Sequence, residues 1–430
     1  MKKLLRKPKF FKYLFSKKYE NLYVLDLGRS SVKLALVEIN KQSKEATILR
    51  VAEELHTHNT GATDEVEHIK QITSTVKRAF DSIFSGRKAR SGRTKDIVIG
   101  LASEMVYGHN FSYIYKRENP EAKIDLRELK NAIHNAELKA YEDIRRRFVV
   151  DSGYSETDVL LINSSIQDVR IDGYKVTNPI GFDGEELYIS VFNAYLPIFY
   201  KNIFDEVARQ LKFNLTSLIY EPYAVFSALR RKHGEEFEGI IIDIGGKTTR
   251  VSLARKGKFE DIRTFSFGGE SFTRRIASHF EIGFWEAENI KLRYSNGNLS
   301  GNALGVVEDI LQGEISLFLS ALEMILKEFS RTTLLPGEIF VHGGGGHIPL
   351  IDDIIRKRKW KRELSFLKPP KIHILDPAMF ENIKIDESVN SHSQLVSVAG
   401  IADHLLHISI EKDTLLTKTL SRMVKLIQDQ

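Results

Sequence analysis

A short pattern that occurs twice constrains the fold of this chain more than any other feature. In each copy an apolar, β-favouring run ends in Asp, and a polar turn with Gly then leads into a second strand. The copies contain Asp26-Leu27-Gly28 and Asp243-Ile244-Gly245, 217 residues apart. Taken alone, each copy is equally compatible with an ordinary β-hairpin. Together they predict a duplicated α/β unit with a phosphate between its two halves.

The residues of these two turns are suited to binding an anion and a metal ion. Glycine lets the backbone approach a ligand closely, and free turn N–H groups can form an anion-binding nest. A carboxylate at the end of the preceding strand can hold a hydrated Mg²⁺ beside a phosphate. A third segment, IFVHGGGG at residues 339–346, runs from a strand into four glycines, and a helix-like segment follows at 348–355. This arrangement suits close backbone contact with a nucleoside.

These three segments, in this order, resemble the phosphate-1, phosphate-2 and adenosine motifs of the actin-like ATPase superfamily, which includes actin, Hsp70, MreB, FtsA and PilM. The resemblance to FtsA, the bacterial division protein, is closer. Residues 171–191 are similar to the FtsA segment around DPxGxxG. The stretch FGGESFTRRIASHF, followed by AENIK at 287–291, is similar to the FtsA stretch that ends in AExxK. The resemblance covers roughly residues 21 to 405.

The resemblance implies an α/β fold of the actin-like (ribonuclease H-like) type, duplicated, with two lobes around a nucleotide cleft and an FtsA-type 1C insertion. The expected units are a basic amphipathic tail (1–20), subdomain 1A (21–103 and 181–235), the inserted subdomain 1C (104–180), subdomain 2A with a return helix (236–267 and 336–408), subdomain 2B (268–335) and a C-terminal amphipathic helix (409–430). Residues 187–194 are expected in the core sheet, and subdomain 2B is expected to contain two helices.

The resemblance also implies ATP and Mg²⁺ as cofactors, with Asp26 and Asp243 holding the Mg²⁺ through water. The implied nucleotide-binding residues are Gly28, Arg29, Ser30, Ser31 and Lys33 in the first motif, Gly245, Gly246, Lys247, Thr248 and Thr249 in the second, Glu288 and Lys291 at the ribose and base, and Gly343, Gly344 and Gly345 under the adenine and ribose. Two alternatives remain open. Lys33 suits the solvent face of a strand, and Glu288 and Lys291 suit a local ion pair on a helix.

At positions that bear on ATP hydrolysis, this chain matches the family pattern only in part. Glu221 precedes Pro222, in the position where Hsp70 and MreB keep a Glu that orients the attacking water, so it is the candidate catalytic residue. An acidic residue favoured by a helix dipole is the alternative. FtsA usually reads DIGGGTTD at the second motif, but this chain has Lys247 for the third Gly and Arg250 for the last Asp. These differences predict at most a slow ATPase.

The two ends of the chain differ from its body. Residues 1–18 carry eight Lys or Arg and no acid, so the net charge of +6 becomes −2 without them. The body therefore gives no charge argument for nucleic acid, and we expect no such partner. Aromatic residues between lysines favour an anionic membrane surface, and residues 414–427 resemble the membrane-targeting helix of FtsA. For residues 1–18 the alternatives are a solvated tail without a partner and a nucleic-acid-binding arm. For residues 414–427 the alternative is a helix packed on the body.

The amino-acid composition indicates the cellular compartment of the protein. The chain has no Cys, which excludes disulfides and thiol chemistry and favours a reducing cytoplasm. No apolar run reaches the about 18 residues that a spanning helix needs. We therefore expect a cytoplasmic protein, peripheral on the inner face of the cell membrane.

Three functions are consistent with these observations. The preferred one is an ATP-binding, actin-like cytoskeletal protein that self-associates into filaments at the inner membrane and tethers a division ring there. Its partner would be a peptide of an FtsZ-like tubulin homologue, bound at subdomain 2B. The second is a PilM-like cytoplasmic component of a type IV pilus or secretion machine, a family that shares SSVK in the first motif. The third is a small-molecule kinase of the same fold, which needs a substrate-binding carboxylate in the cleft.

Overall fold

The structure, a computed structural model, describes residues 19–56, 65–84, 95–102, 105–152, 158–331, 333–349, 364–389 and 393–410. In chain order the strands are β1 (Tyr19–Leu27), β2 (Ser31–Asn40), β3 (Glu45–Leu55), β4 (Lys95–Leu101), β5 (Tyr107–Lys116), β6 (Val159–Ile171), β7 (Tyr174–Lys175), β8 (Glu186–Pro197), β9 (Phe213–Tyr220), β10 (Gly239–Ile244), β11 (Thr249–Arg255), β12 (Lys258–Phe265), β13 (Glu338–His342), β14 (Lys371–Ile374) and β15 (Ile383–Ile385). The helices are α1 (Glu65–Ile83), α2 (Leu126–Ser152), α3 (Ile198–Gln210), α4 (Glu221–His233), α5 (Gly269–Phe280), α6 (Phe284–Ser295), α7 (Asn302–Phe329) and α8 (Val396–Ile410).

Two of the sheets share one topology. The first has the strand order β15-β3-β2-β1-β4-β9, and the second has the order β12-β11-β10-β13-β14. Around β1 and around β10, two antiparallel pairings lie on one side and two parallel pairings lie on the other. This repeated order confirms the predicted duplicated α/β fold.

The third sheet has the order β5-β8-β6-β7 and is antiparallel throughout. The expectation that residues 187–194 belong to the core sheet is therefore wrong, because within the described part of the chain β8 pairs with β5 and β6, in a separate sheet. The error has a physical cause. One face of β8 packs on α2 through Leu187, Ile189 and Val191. The opposite face, which includes Phe192, joins the main core. A strand buried on both faces reads as a continuous apolar run, as a core strand does. The sheet contains residues from both sides of the boundary predicted at 180.

The second sheet packs against three helices, α5, α6 and α7, where the sequence predicts two. The break between α5 and α6 lies at Glu281, whose φ of 54° is in the left-handed region, and Gly283 follows it. One residue in this conformation ends a helix.

The strand ends bring the predicted motifs of the sequence together. β1 and β10 end directly before the two Gly turns, and β13 ends directly before the glycines at 343–345. α4 begins directly after β9, and α5 begins four residues after β12. Ligands of α/β sheets commonly bind outside such strand ends. No helix in the described ranges combines the length and apolarity needed to cross a membrane.

Candidate nucleotide site

The carboxylates of the two motifs occupy equivalent positions in the two sheets. Asp26 pairs with Lys33 across β1 and β2, and Asp243 pairs with Arg250 across β10 and β11. In both cases the partner is the seventh residue after the aspartate. The register of a hairpin is fixed by the length of its turn. The two halves therefore present the same pair, a carboxylate facing a basic side chain.

The turns between these strands also match. We call residues 28–31 the first turn and residues 245–248 the second turn. The N–H of Gly28 donates to the carbonyl of Ser31 at 3.1 Å, and the N–H of Gly245 donates to the carbonyl of Thr248 at 2.9 Å. A Cβ would lie 2.9 Å from that oxygen at Gly28 and 3.0 Å from it at Gly245. Each turn thus leaves almost no room for a side chain at its glycine.

The first and second turns touch each other. Ser30 Oγ donates a hydrogen bond of 2.6 Å to Glu270 Oε1 at the start of α5. A Cβ at Gly246 would lie 2.2 Å from Ser30 Oγ. Glu270 also accepts from Arg274 at 3.3 Å. The segments expected to enclose phosphates from opposite sides therefore meet directly in this structure.

The second turn is held by the first residues of α5. The carbonyl of Gly245 accepts from the N–H of Gly269 at 2.9 Å, and the carbonyl of Gly246 accepts from the N–H of Glu270 at 2.7 Å. Thr249 is fully buried, and its hydroxyl donates to the carbonyl of Phe267 at 2.7 Å. In this structure the hydroxyl of Thr249 supports the strand and does not face the cleft.

Two further residues of the predicted site, Lys247 and Ser31, are both half-buried. Burial lowers the pKa of Lys247, the nearby charges of Arg29 and Arg274 lower it further, and Glu270 opposes them. Arg29, Arg274 and Glu270 thus each lie within electrostatic reach of Lys247. Ser31 Oγ donates to Glu53 Oε1 at 2.8 Å, so its hydroxyl is engaged on the β3 side.

A buried cluster surrounds the second aspartate. We call it the Asp243 cluster, and it contains Glu221, Asp243, Arg250, His342 and Ser397. The guanidinium of Arg250 donates to Asp243 Oδ2 and lies 3.5 Å from Glu221 Oε2. His342 Nδ1 lies 3.6 Å from Asp243 Oδ1, and Ser397 Oγ donates to Glu221 Oε1 at 2.9 Å. A cavity of about 10 Å³ beside these side chains is close to the smallest that holds one water molecule.

Burial governs the charges of this cluster. It raises the pKa of Glu221, and Arg250 partly opposes that rise. It also lowers the pKa of His342 to about 3, with help from Arg250 and Lys33, so the imidazole is neutral at pH 7. Burial alone would lower the pKa of Lys33, but Asp26 and Glu53 together raise it. Lys33 therefore stays charged, and its solvent-facing alternative does not hold, because its side chain is only 16% exposed.

The glycines at 343–345 lie against the second turn. Gly343 has a φ of 92°, and a Cβ there would lie 2.4 Å from Asp243 Oδ1. A Cβ at Gly345 would lie 2.5 Å from the side chain of Ile244. Gly344 is less enclosed, since the nearest described atom to a Cβ there belongs to Gln394, at 3.5 Å. Residues Gly344–His347 form a short 3-10 turn, and residues 350–355 of the expected helix lie outside the described residues.

Glu288 and Lys291 form the local ion pair that the sequence allowed, at 2.7 Å. Lys291 Nζ also donates to Thr273 Oγ1 at 2.9 Å and to the carbonyl of Gly269 at 3.2 Å. A Cβ at Gly269 would lie 3.7 Å from Gly345 Cα, so the pair lies beside the glycines. The structure thus brings the predicted residues of α6 next to the third motif.

Comparisons with known proteins agree with this arrangement. A sequence profile of the family "Cell division protein FtsA" matches residues 240–377, which contain the second turn and the glycines. FtsA of Enterococcus hirae is 21% identical over 89% of this chain and 86% of the relative. A chain of a PilM–PilN type IV pilus biogenesis complex is 17% identical, with a TM-score of 0.60, over 91% of this chain and 98% of that one. This chain has the actin-like ATPase fold, and its sequence is similar to that of FtsA.

Other relatives are matched over less of their length. The HscA chaperone homologue of Mannheimia succiniciproducens is 20% identical over 81% of this chain. This chain spans 62% of that relative, and 51% and 58% of the FtsA proteins of Pseudomonas aeruginosa and Enterococcus faecalis.

The arrangement of Asp26 and Asp243 in this structure does not fit the water-mediated Mg²⁺ site that the sequence predicts. Lys33 Nζ lies 3.5 Å from Asp26 Oδ2, and Arg250 occupies Asp243 Oδ2. The other oxygen of Asp243 is covered by His342 and by the backbone at Gly343. Each carboxylate therefore faces a basic side chain in place of the open position that a hydrated ion requires.

The sequence alone does not predict several of the contacts in this candidate site. Glu270, His342 and Ser397 were not among the predicted residues, and Arg250 was noted only as a departure from the FtsA pattern. One signal was present for Arg250, because it follows Asp243 at the same spacing as Lys33 follows Asp26. For Ser397, which lies 176 residues from Glu221, the sequence contains no such signal.

Proposed function

We propose that this FtsA-like protein binds ATP in the cleft between the first and second turns. The observation that carries the proposal is the matched geometry of the two turns, which come from equivalent strand ends and face each other. Free N–H groups and glycines at such turns suit a phosphate chain. Lys33, Lys247, Arg29 and Arg250 add positive charge around them. The glycines at 343–345 then offer a backbone surface for the nucleoside.

Hydrolysis is slow or absent in this proposal. Phosphoryl transfer needs a positioned water and charge stabilisation at the reacting phosphate. Glu221, the candidate for orienting that water, is buried, accepts a hydrogen bond from Ser397 and lies close to Arg250. These contacts hold its carboxylate inside the protein. The binding of nucleotide, more than its turnover, is then the property that matters for assembly.

We propose an FtsA-type cellular role: the protein forms filaments on the inner face of the cell membrane and tethers an FtsZ-type ring there. The match of the FtsA profile and the FtsA relatives support this role. The FtsZ-like peptide would bind on residues 268–335. Membrane contact would use residues 1–18 and 414–427, both of which lie outside the described residues.

A PilM-like role is the second candidate. The observation that favours it is the structural similarity to the chain of the PilM–PilN complex, which extends over 98% of that chain. In this role the protein would be a cytoplasmic component of a type IV pilus or secretion machine, and its partner would be a PilN-type peptide.

Calorimetry can separate the two roles. Full-length protein is titrated with the C-terminal peptide of FtsZ and with PilN peptides, each from the same organism. Binding of FtsZ alone supports the FtsA role, binding of PilN alone supports the PilM role, and binding of neither overturns both. In parallel, electron microscopy on anionic lipid monolayers with ATP should show filaments.

Surface variants locate the FtsZ contact. Leu317 and Met324 are 60% and 68% exposed on α7. The double variant Leu317→Asp/Met324→Asp should weaken FtsZ binding if the peptide uses this helix. Tyr174→Asp is the matched control, because Tyr174 is 79% exposed on β7, outside residues 268–335.

A further inference from the structure

A basic side chain of the protein lies opposite each of the two aspartates that are expected to hold a metal ion. Lys33 and Arg250 occupy equivalent register positions, each opposite the aspartate that ends the neighbouring strand. Lys33 Nζ is 3.5 Å from Asp26 Oδ2, and the guanidinium of Arg250 donates to Asp243 Oδ2. Both halves of the duplicated site therefore neutralise their own carboxylate.

Arg250 lies within a set of side chains that otherwise resembles a metal site. Glu221, Asp243 and His342 each place one potential ligand atom within 4.8 Å of the others. Carboxylate oxygens and imidazole nitrogens are common metal ligands. Arg250, however, contacts Asp243 and lies 3.5 Å from Glu221, so the positive group among these ligands is a guanidinium.

The position of Arg250 argues against a divalent ion held by Asp243. Asp26, Glu53, Glu221 and Asp243 supply four carboxylates, and Lys33 and Arg250 compensate two of them. With Asp at position 250, as in the FtsA pattern, the same site would contain five carboxylates and one lysine. A divalent ion held by Asp243 would lie within a few ångströms of Arg250, and like charges repel strongly at such separations in a buried site. Arginine stays charged under all physiological conditions, so this repulsion cannot be relieved by deprotonation.

We propose that Arg250 replaces the divalent cation of the nucleotide site, so that the chain binds nucleoside diphosphates and triphosphates as metal-free anions. Arg250 and Lys33 supply the positive charge on the protein side of the phosphates. A guanidinium is suited to this task because its planar donors match carboxylate and phosphate oxygens. The inference rests on the proposed nucleotide site and specifies which form of the nucleotide that site takes.

The decisive test compares nucleotide binding with and without metal. Full-length protein is titrated calorimetrically with ADP and with ATP, once in Mg²⁺ and once in EDTA. We expect the Kd to change by less than about threefold between the two buffers. A loss of more than about tenfold in EDTA overturns the inference and leaves the nucleotide site intact. If no binding occurs in either buffer, the nucleotide site itself is wrong and the inference falls with it.

Variants at position 250 test the residue directly. Arg250→Asp restores the acidic residue of the FtsA pattern, and its nucleotide affinity should become dependent on Mg²⁺ by more than about tenfold. Electron paramagnetic resonance with Mn²⁺ and ADP should then show bound Mn²⁺ in this variant and not in the wild type. An Arg250→Asp protein that binds nucleotide as tightly as the wild type in EDTA overturns the inference.

Two further variants guard against misfolding. Arg250→Gln removes the charge without adding an acid, and it should weaken nucleotide binding in both buffers. Arg263→Asp is the matched control, because Arg263 lies on the adjacent strand β12 with its side chain 48% exposed. It should bind nucleotide as the wild type does. Thermal melting identifies variants that fold, and the wild-type comparison in EDTA decides the question even if Arg250→Asp does not fold.

Discussion

Ser30 and Glu270 are 240 residues apart in the chain, and a hydrogen bond of 2.6 Å joins them across the cleft. The hydroxyl of Ser30 is one of the groups expected to bind a phosphate. Its acceptor in this structure is a carboxylate, an anion supplied by the protein itself. Arg274 donates to the same carboxylate, and Lys247 lies within electrostatic reach of it. Glu270 thus occupies the position of a ligand anion, and a nucleotide must displace it.

Neutralising Glu270 should therefore strengthen nucleotide binding. Glu270→Gln keeps an acceptor for Ser30 but removes the negative charge that repels the phosphates. We expect an ATP affinity about three- to tenfold higher, measured by calorimetry. Glu286→Gln, on α6, is the control and should not change the affinity. A Glu270→Gln protein that binds ATP more weakly would show that the carboxylate helps to bind the nucleotide.

Gly344 separates ligand contact from folding. The nearest described atom to a Cβ at this position belongs to Gln394, at 3.5 Å, so the fold should tolerate a side chain. Gly344→Asp should nevertheless reduce ATP affinity more than about tenfold, because it places a bulky acid under the nucleoside. Its melting temperature should stay within a few degrees of the wild type. Gly305→Asp, at an open position of α7, is the control. Unchanged ATP binding in Gly344→Asp would remove this segment from the site.

A substitution of Asp243 should affect both ATP binding and the stability of the fold. Asp243→Ala should abolish ATP binding, but it also leaves Arg250 without its main partner in a buried position. Breaking a buried pair by removing one member typically costs about 3–5 kcal/mol. We therefore expect both a lower melting temperature and lost binding. The double variant Asp243→Asn/Arg250→Gln, which removes both charges of this pair, should recover much of the stability in thermal melts. If it does not, the pair contributes little to the fold.

Glu137 should make stability depend on pH. It is buried on α2, it accepts hydrogen bonds from Ser164 and Asn193, and burial raises its pKa from 4.5 to about 7. The folded state therefore keeps a proton that the unfolded state loses between these pH values. Since the folded state binds more protons, the free energy of unfolding should fall as pH rises from about 4.5 to 7.

Glu137→Gln should remove this loss. At pH 8 it should be more stable than the wild type by up to about 3 kcal/mol, and at pH 4 the two should be similar. Urea unfolding at both pH values measures the difference. Glu142→Gln, an exposed acid on the same helix, is the control. An equal difference between Glu137→Gln and wild type at both pH values would mean that Glu137 does not titrate in this range.

The membrane proposal has its own test in liposome sedimentation. Attraction to an anionic surface is worth about 1 kcal/mol for each Lys or Arg near it, and salt screens this attraction. Full-length protein should pellet with anionic vesicles, and less so at high salt. Deleting 1–18 should remove most of the salt-sensitive binding, and deleting 412–430 should remove mainly the rest. A double deletion that still pellets like the parent would place the membrane contact elsewhere.

Local sequence patterns determined those features of the fold that involve residues within about ten positions of each other in the chain. The two Asp-x-Gly turns, their flanking strands and the pairing of Asp26 with Lys33 follow from turn length and from the positions that only glycine fits. The same rule, applied at Asp243, sets Arg250 opposite it. The order of the three motifs then indicated the fold.

Tertiary structure alone decided which distant groups meet. β8 could have joined either sheet, because both of its faces are buried, and its apolar sequence does not distinguish the neighbours. The contacts of Ser30 with Glu270 and of Glu221 with Ser397 join residues far apart in the chain, and their partners depend on how the lobes and helices pack. The positions of charged groups in the folded protein likewise decide whether a carboxylate at a strand end binds a metal ion or an arginine. A buried charge is stable only beside a partner, and tertiary packing supplies that partner.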